Sequence, residues 1–233
     1  MDQVREKPWL AHYDPGVPPE IQVPDIPLWR FLEESARRFP QNVALEFLGK
    51  TLSYQELWGL ARRFAQGLKD LGVRPGDRVA IMLPNSPQFV IAFYGTLLAG
   101  GVGVNVNPLY TPRELRHQLA DAGAETLVIL DHLLPRYLEV EKEVPVKRVV
   151  VTGIKDFLPF PKNLLYPLKA KRDGLPLGFP KREGFHAFAE LLKRPPAEPH
   201  VPDPEDLALL QYTGGTTGLS KGAMPTHKNL VAN

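Results

Sequence analysis

The chain has 233 residues, of which 43% are hydrophobic and 23% charged, and its net charge is +2 from 28 Lys and Arg against 26 Asp and Glu. This globular composition excludes a wholly disordered protein, and the absence of cysteine excludes disulfide scaffolds, Cys-ligated zinc sites and thiol nucleophiles. No apolar run approaches the roughly 18 residues of a membrane span, and the start lacks the apolar core of a secretory signal, so we expect a cytoplasmic protein.

The first 27 residues contain six prolines and predict an extended arm on the surface. Three large side chains could anchor this arm: Trp9, Leu10 and Tyr13. From Leu28 an apolar stripe at helical spacing predicts a helix that ends at Pro40. A hairpin is expected around Gly49 and Lys50. Its second strand leads through a capping box of Ser53 and Glu56 into a long amphipathic helix.

Strands and helices then alternate. Short apolar runs predict buried strands at 78–83, 102–107, 126–130 and 149–152. Between them, helices are expected over 87–98, from the cap Thr111 to Gly123, and as a polar helix from about His132. Such alternation is typical of a largely parallel sheet covered by helices. The predicted fold class is therefore α/β, with residues 28–153 forming an α/β subdomain.

Residues 154–200 interrupt this alternation and are expected to form a proline-rich basic excursion and a linker, with one short helix at about 185–192. The part from 155 to 182 has seven Lys and Arg against two Asp, interleaved with Phe, Leu and Tyr. It could make a peripheral contact with anionic lipid, or it could be a surface excursion with solvated lysines. The aromatic residues are not spaced as a stacking platform, so we expect no nucleic-acid partner.

The last segment, 201–233, combines a buried strand at 207–212, a polar loop, a possible return strand at 223–224 and a helix capped by Thr226. The chain stops within the first turns of that helix. We therefore expect it to be an amino-terminal fragment of a longer protein.

The loop after the buried strand is the strongest chemical signal in the chain. Residues 213–222 contain four glycines, three threonines, one serine and one lysine. Glycines allow backbone N–H groups to approach an anion closely, hydroxyls add donors, and lysine adds a charge suited to phosphate. The loop matches neither the Walker pattern nor the dinucleotide pattern. The alternative is a flexible hairpin loop with a solvated lysine. The predicted phosphate-binding residues are Thr213, Gly214, Gly215, Thr216, Thr217, Gly218, Ser220 and Lys221.

Residues 212–221, Tyr-Thr-Gly-Gly-Thr-Thr-Gly-Leu-Ser-Lys, closely resemble the phosphate-loop signature of the acyl-adenylate-forming enzymes. This family includes acyl-CoA synthetases, luciferases and peptide-synthetase adenylation domains. Many members have proline where this chain has Ser220. Residues 106–115, Val-Asn-Pro-Leu-Tyr-Thr-Pro-Arg-Glu-Leu, are similar to the bacterial long-chain fatty-acyl-CoA synthetases within the family.

The resemblance implies a two-step ligase whose partners are a fatty acid, ATP and CoA. The fatty carboxylate attacks the α-phosphorus of ATP to give acyl-AMP and pyrophosphate, and the CoA thiol then displaces AMP. By the same resemblance, residues 213–221 would hold the β- and γ-phosphates, and Thr213 would lie near Mg²⁺. Two alternatives stay open: an acyl-adenylate-forming ligase for a different carboxylic acid, and a non-catalytic phosphate- or lipid-binding module.

The chain also departs from the family pattern. Members carry an aromatic-Gly-x-Thr-Glu motif, whereas the nearest string here, Tyr94 to Leu97, lacks the glutamate. The resemblance implies that the ribose-binding Asp and the catalytic Lys lie beyond Asn233. We therefore assign no catalytic residue within the chain and predict that the chain alone does not catalyse. His227 could face the substrate pocket or could be a structural residue of its helix, and a homodimer is one option that the sequence leaves open.

Overall fold

The computed structural model describes residues 7–213 and 220–233. In this part of the chain the strands are β1 (Val43–Phe47), β2 (Lys50–Ser53), β3 (Arg78–Met82), β4 (Val102–Asn105), β5 (Thr126–Leu130), β6 (Arg148–Thr152), β7 (Phe185–Ala187), β8 (Leu209–Thr213) and β9 (Lys221–Ala223). The α-helices are α1 (Arg30–Arg38), α2 (Tyr54–Asp70), α3 (Pro87–Ala99), α4 (Pro112–Ala122), α5 (Leu134–Leu138), α6 (Lys162–Arg172), α7 (Phe188–Leu191) and α8 (His227–Ala232).

Seven of these strands form one sheet in the order β7-β6-β5-β3-β4-β8-β9. All neighbours in it are parallel except β8 and β9, which are antiparallel. Every residue of the interior strand β5 is buried, as expected for a parallel strand that is covered on both faces. The predicted α/β class, with a largely parallel sheet, is confirmed.

The helix ends follow the predicted caps. Ser53 with Glu56 and Thr111 with Glu114 form complete capping boxes at the starts of α2 and α4. Gly100 ends α3 with a φ of 88°, a left-handed conformation that glycine adopts without a steric penalty. Local chemistry therefore sets where these helices begin and end.

The amino-terminal region differs from the prediction in two ways. The arm has a short 3-10 helix over Pro8–His12, but Trp9 and Tyr13 are 52% and 43% exposed and do not anchor it. Trp29, just before α1, is buried, whereas Phe39, the last apolar residue before Pro40, is exposed. The stripe is therefore shorter than its spacing indicated.

In the second half, two predicted elements are corrected and one helix is new. The helix expected from His132 is not polar, because Leu134 and Tyr137 of α5 are buried. The helix expected at 185–192 is instead a strand, β7, followed by the single turn α7. The basic excursion contains an 11-residue helix, α6, which was not predicted.

The sheet takes its strands from three of the four predicted segments. β3 to β6 come from residues 28–153, β7 comes from 154–200, and β8 and β9 come from 201–233. The segments therefore share one sheet, and their limits as separate units stay a prediction. No helix within residues 7–213 and 220–233 is both long and apolar enough to cross a membrane.

Candidate phosphate-binding hairpin

The predicted phosphate loop connects β8 to β9 at the edge of the sheet where the parallel strands end. β8 runs parallel to β4, and β9 returns antiparallel to β8. Carboxyl ends of parallel strands are the usual ligand-binding edge of an open α/β sheet. The two ends of the loop, Thr213 and Lys221, therefore lie at the edge where a ligand is expected.

Thr213 and Lys221 are cross-strand partners at the two ends of this loop. Both are exposed, and Ser220 beside them is half-buried. The structure thus brings together a hydroxyl and an ammonium group from the predicted site. The other predicted phosphate-binding residues lie outside the described residues: Gly214, Gly215, Thr216, Thr217 and Gly218.

Tyr212 of β8, next to the loop end Thr213, connects the hairpin to α4. The Tyr212 hydroxyl donates a hydrogen bond to Asp121 Oδ2 over 2.5 Å. Burial raises the pKa of Tyr212, and the hydrogen bond to the Asp121 carboxylate raises it further. The tyrosine ring lies against Gly222, where an added Cβ would come within 3.2 Å of two ring carbons. Gly222 therefore leaves room for the ring that fixes the hairpin.

A set of amide side chains joins the same elements. Asn105 Nδ2 donates to Gln211 Oε1 over 2.8 Å, and Gln118 Nε2 donates to the carbonyl of Asn105 over 2.7 Å. These bonds connect β4, β8 and α4 directly below the hairpin. In the part of the chain that the structure describes, Asn105 Oδ1 and Gln118 Oε1 are buried without a hydrogen-bond partner.

Sequence reasoning missed this support, although one signal was available. Gln118 lies within the buried stripe of α4, together with Leu115, Leu119 and Ala122. An amide inside an apolar stripe indicates a buried polar contact, because an unpaired buried amide is costly. No comparable signal marks Asp121, which is exposed and lies 91 residues from Tyr212.

His227 lies elsewhere. It is 3% exposed, and its Nδ1 accepts a hydrogen bond from the backbone N–H of Leu28 over 3.2 Å. It lines a cavity of about 420 Å³ together with Arg78 and Val102, the first residues of β3 and β4. This is the amino edge of the sheet, opposite to the hairpin loop. Burial lowers the pKa of His227. His227 and the loop ends Thr213 and Lys221 therefore lie at opposite edges of the sheet, and a contact of His227 with the substrate pocket stays a prediction.

The comparisons with known proteins agree with this architecture. The family model described as AMP-binding enzyme matches residues 32–233. The chain belongs to this AMP-binding enzyme family. It is 44% identical over 232 residues to a long-chain-fatty-acid–CoA ligase of Bacillus subtilis, and 40% identical over 238 residues to one of Escherichia coli O157:H7. Each alignment covers 98% of this chain, which spans only 41% and 42% of the two relatives.

Two solved structures superpose on this chain over most of its length. A long-chain-fatty-acid-CoA ligase from Archaeoglobus fulgidus has a TM-score of 0.74 and 28% identity, over 94% of this chain and 40% of that one. The apo structure of MbtA from Mycobacterium smegmatis has a TM-score of 0.73 and 32% identity, over 90% of this chain and 35% of that one. The α/β fold of this chain is thus the fold of these longer proteins over the matched part.

Proposed function

We propose that the protein containing this chain is an ATP-dependent long-chain fatty acid–CoA ligase, and that this chain supplies its phosphate-binding hairpin. The observation that carries the proposal is the pairing of Thr213 with Lys221 at the carboxyl edge of the sheet, in a chain 44% identical to a ligase of that name.

The chemistry suits this edge. In the proposed first step a carboxylate oxygen forms a bond to the α-phosphorus of ATP, and the bond from that phosphorus to the bridging oxygen breaks. Negative charge then accumulates on the departing pyrophosphate. The Lys221 ammonium and the hydroxyls of Thr213 and Ser220 would oppose that charge, since donors placed where charge develops lower a barrier. Phosphoryl chemistry of this kind depends mainly on such positioning and charge stabilisation.

The same residues are compatible with Mg²⁺. Magnesium usually keeps several waters and takes one or two protein oxygens besides the nucleotide phosphates. The exposed Thr213 hydroxyl is one such oxygen, and residues 7–213 and 220–233 contain no group of three or more His, Asp or Glu side chains placed to hold a metal ion. We propose that Thr213 lies beside the ion, which when bound would neutralise phosphate charge.

The acid could differ from a long-chain fatty acid. A relative from Narcissus pseudonarcissus named 4-coumarate-CoA ligase 1 is 34% identical over 220 residues. The higher identity of the bacterial relatives, 38–44%, favours the long-chain acid. A panel that includes both acids distinguishes the two candidates.

The test is ATP–pyrophosphate exchange by the complete protein, with palmitate and 4-coumarate as alternative acids. We expect exchange with palmitate and none from the 233-residue chain alone. Lys221→Ala should weaken exchange by about 10- to 100-fold, because a hydrogen bond to a charged group contributes about 1.5–3 kcal/mol. Lys193→Ala is the matched control, since Lys193 is also exposed and pairs only with Glu190 among the described residues. Equal exchange by Lys221→Ala and wild type would refute the assignment of the hairpin.

A further inference from the structure

We propose that α6 and the two apolar side chains beside it form a docking surface for an anionic lipid bilayer. The lipid-docking surface is defined by five exposed side chains: Leu48, Phe160, Leu164, Leu165 and Leu168. It lies outside the phosphate-binding hairpin, and its binding to lipid does not depend on the proposed ligase activity.

The orientation of α6 is the first observation. A surface helix normally buries its apolar residues and exposes its polar ones. α6 buries only Ala170 and half-buries Tyr166, whereas Leu164, Leu165 and Leu168 are 64%, 56% and 69% exposed. Leu168 follows Leu164 by four positions and Leu165 by three, so the three leucines share one outward face of the helix.

The surface continues beyond the helix. Phe160, just before α6, is 79% exposed, and Leu48 at the tip of the β1–β2 hairpin is 55% exposed. Lys162 Nζ donates to the Leu48 carbonyl over 2.8 Å and holds this tip beside the helix. A groove of about 290 Å³ lies between the tip and α6, lined by Leu48, Leu165 and other mainly apolar side chains. Exposed apolar side chains thus lie on two separate elements, the β1–β2 hairpin tip and α6, that meet at this groove.

All charged side chains of α6 are positive. α6 has four cationic residues, Lys162, Lys169, Lys171 and Arg172, and no acidic residue. Within residues 7–213 and 220–233, the three lysines have no carboxylate at ion-pair distance, and only Arg172 has one, from Asp173. Lys169 and Lys171 are therefore available to an external anionic partner, whereas Lys162 contacts the Leu48 carbonyl and Arg172 pairs with Asp173.

An aliphatic centre with a basic rim matches the boundary of an anionic bilayer. Leucine and phenylalanine side chains enter the region between headgroups and acyl chains, while lysine and arginine contact lipid phosphates. A folded protein partner would instead need an acidic rim around an apolar pocket. α6 follows β6, and β6 is parallel to β5. The surface therefore lies towards the same edge of the sheet as the hairpin loop, and a docked bilayer would face that edge.

The experiment is co-sedimentation of the protein with phosphatidylcholine vesicles that contain either no or 30% phosphatidylglycerol. We expect binding to the anionic vesicles that weakens as salt is raised, because surface charges are screened. A triple variant replaces the three α6 leucines by serine: Leu164→Ser, Leu165→Ser and Leu168→Ser. It should bind the anionic vesicles at least 10-fold more weakly than wild type. Leu109→Ser is the matched control, since Leu109 is 80% exposed but is not part of the surface.

A second variant separates charge from apolar contact and covers any loss of folding in the first. Lys169→Glu with Lys171→Glu should also reduce binding at least 10-fold, with the melting temperature within a few degrees of wild type. Failure of the wild-type protein to bind anionic vesicles would overturn the proposal. So would equal binding to neutral vesicles, unchanged binding by both variants, or an equal loss with Leu109→Ser.

Discussion

Removal of the Tyr212 hydroxyl tests how the candidate hairpin is held to the rest of the fold. Tyr212→Phe deletes the 2.5 Å hydrogen bond to Asp121 and keeps the ring that packs on Gly222. Hydrogen bonds to charged groups contribute about 1.5–3 kcal/mol. Asp121 is exposed, so water resolvates its carboxylate in the variant and the low end, about 1.5 kcal/mol, applies. For a chain of this size that corresponds to a melting temperature lower by about 3–6 °C.

The pH dependence gives the same bond a second readout. Burial and the Asp121 hydrogen bond raise the pKa of Tyr212, so the folded state binds this proton more tightly than the unfolded state. The stabilisation is therefore complete below the unfolded tyrosine pKa of about 10 and is lost as the pH rises through the higher folded pKa. The difference in stability between wild type and Tyr212→Phe should be largest at pH 8 and should narrow above pH 10.

Urea denaturation at a series of pH values measures both effects. Tyr94→Phe is the control, because in the described part of the chain the Tyr94 hydroxyl has no hydrogen-bond partner, and we expect its loss to change stability by less than about 0.5 kcal/mol. If Tyr212→Phe costs no more than Tyr94→Phe, or if its effect is constant with pH, the tyrosine does not anchor the hairpin through this bond.

Two further predictions concern the body of the fold. Gly67→Ala in α2 would place a Cβ 2.5 Å from Leu191 Cβ and Cγ, and we expect overpacking to lower the free energy of unfolding by about 2 kcal/mol. Gly59→Ala in the same helix meets no atom within 4 Å and should raise the free energy of unfolding by about 0.5–1 kcal/mol. Equal urea midpoints for the two variants would contradict the packing of α2 on α7. Burial lowers the pKa of His227, so its contribution to stability is present above the unfolded pKa of about 6.5 and is lost as the pH falls through the folded pKa. His227→Gln, which also disturbs the acceptor for the Leu28 N–H, should be less stable than wild type at pH 7 and should lose less stability from pH 7 to pH 5. A loss of stability with falling pH that is parallel to wild type would disprove this role.

The elements that the sequence predicts correctly are those with local causes. The capping box of Ser53 and Glu56 begins α2, and that of Thr111 and Glu114 begins α4, because each set of hydrogen bonds is made within four residues. The uniformly apolar run of β5 has its predicted bounds, since a fully buried parallel strand has no polar alternation to blur them.

The errors lie where distant contacts override local signals. Pro167 inside α6, with further prolines before it, argues against a helix because proline removes a donor and clashes with the preceding turn, yet the helix forms. β7 has only three residues, too few for a period of two to be recognised, and it is a strand because it pairs with β6.

The candidate site likewise has features that the sequence indicates and features that only the tertiary structure determines. The composition of residues 213–222 by itself indicated an anion-binding loop, since glycine, hydroxyl and lysine chemistry is carried by neighbouring residues. Only the tertiary structure decided that Thr213 and Lys221 are paired at the carboxyl edge, that Asp121 holds Tyr212, and that His227 lies at the opposite edge. These facts depend on strand order and on contacts between residues about 90 to 200 positions apart, and a linear pattern does not record which distant residues meet.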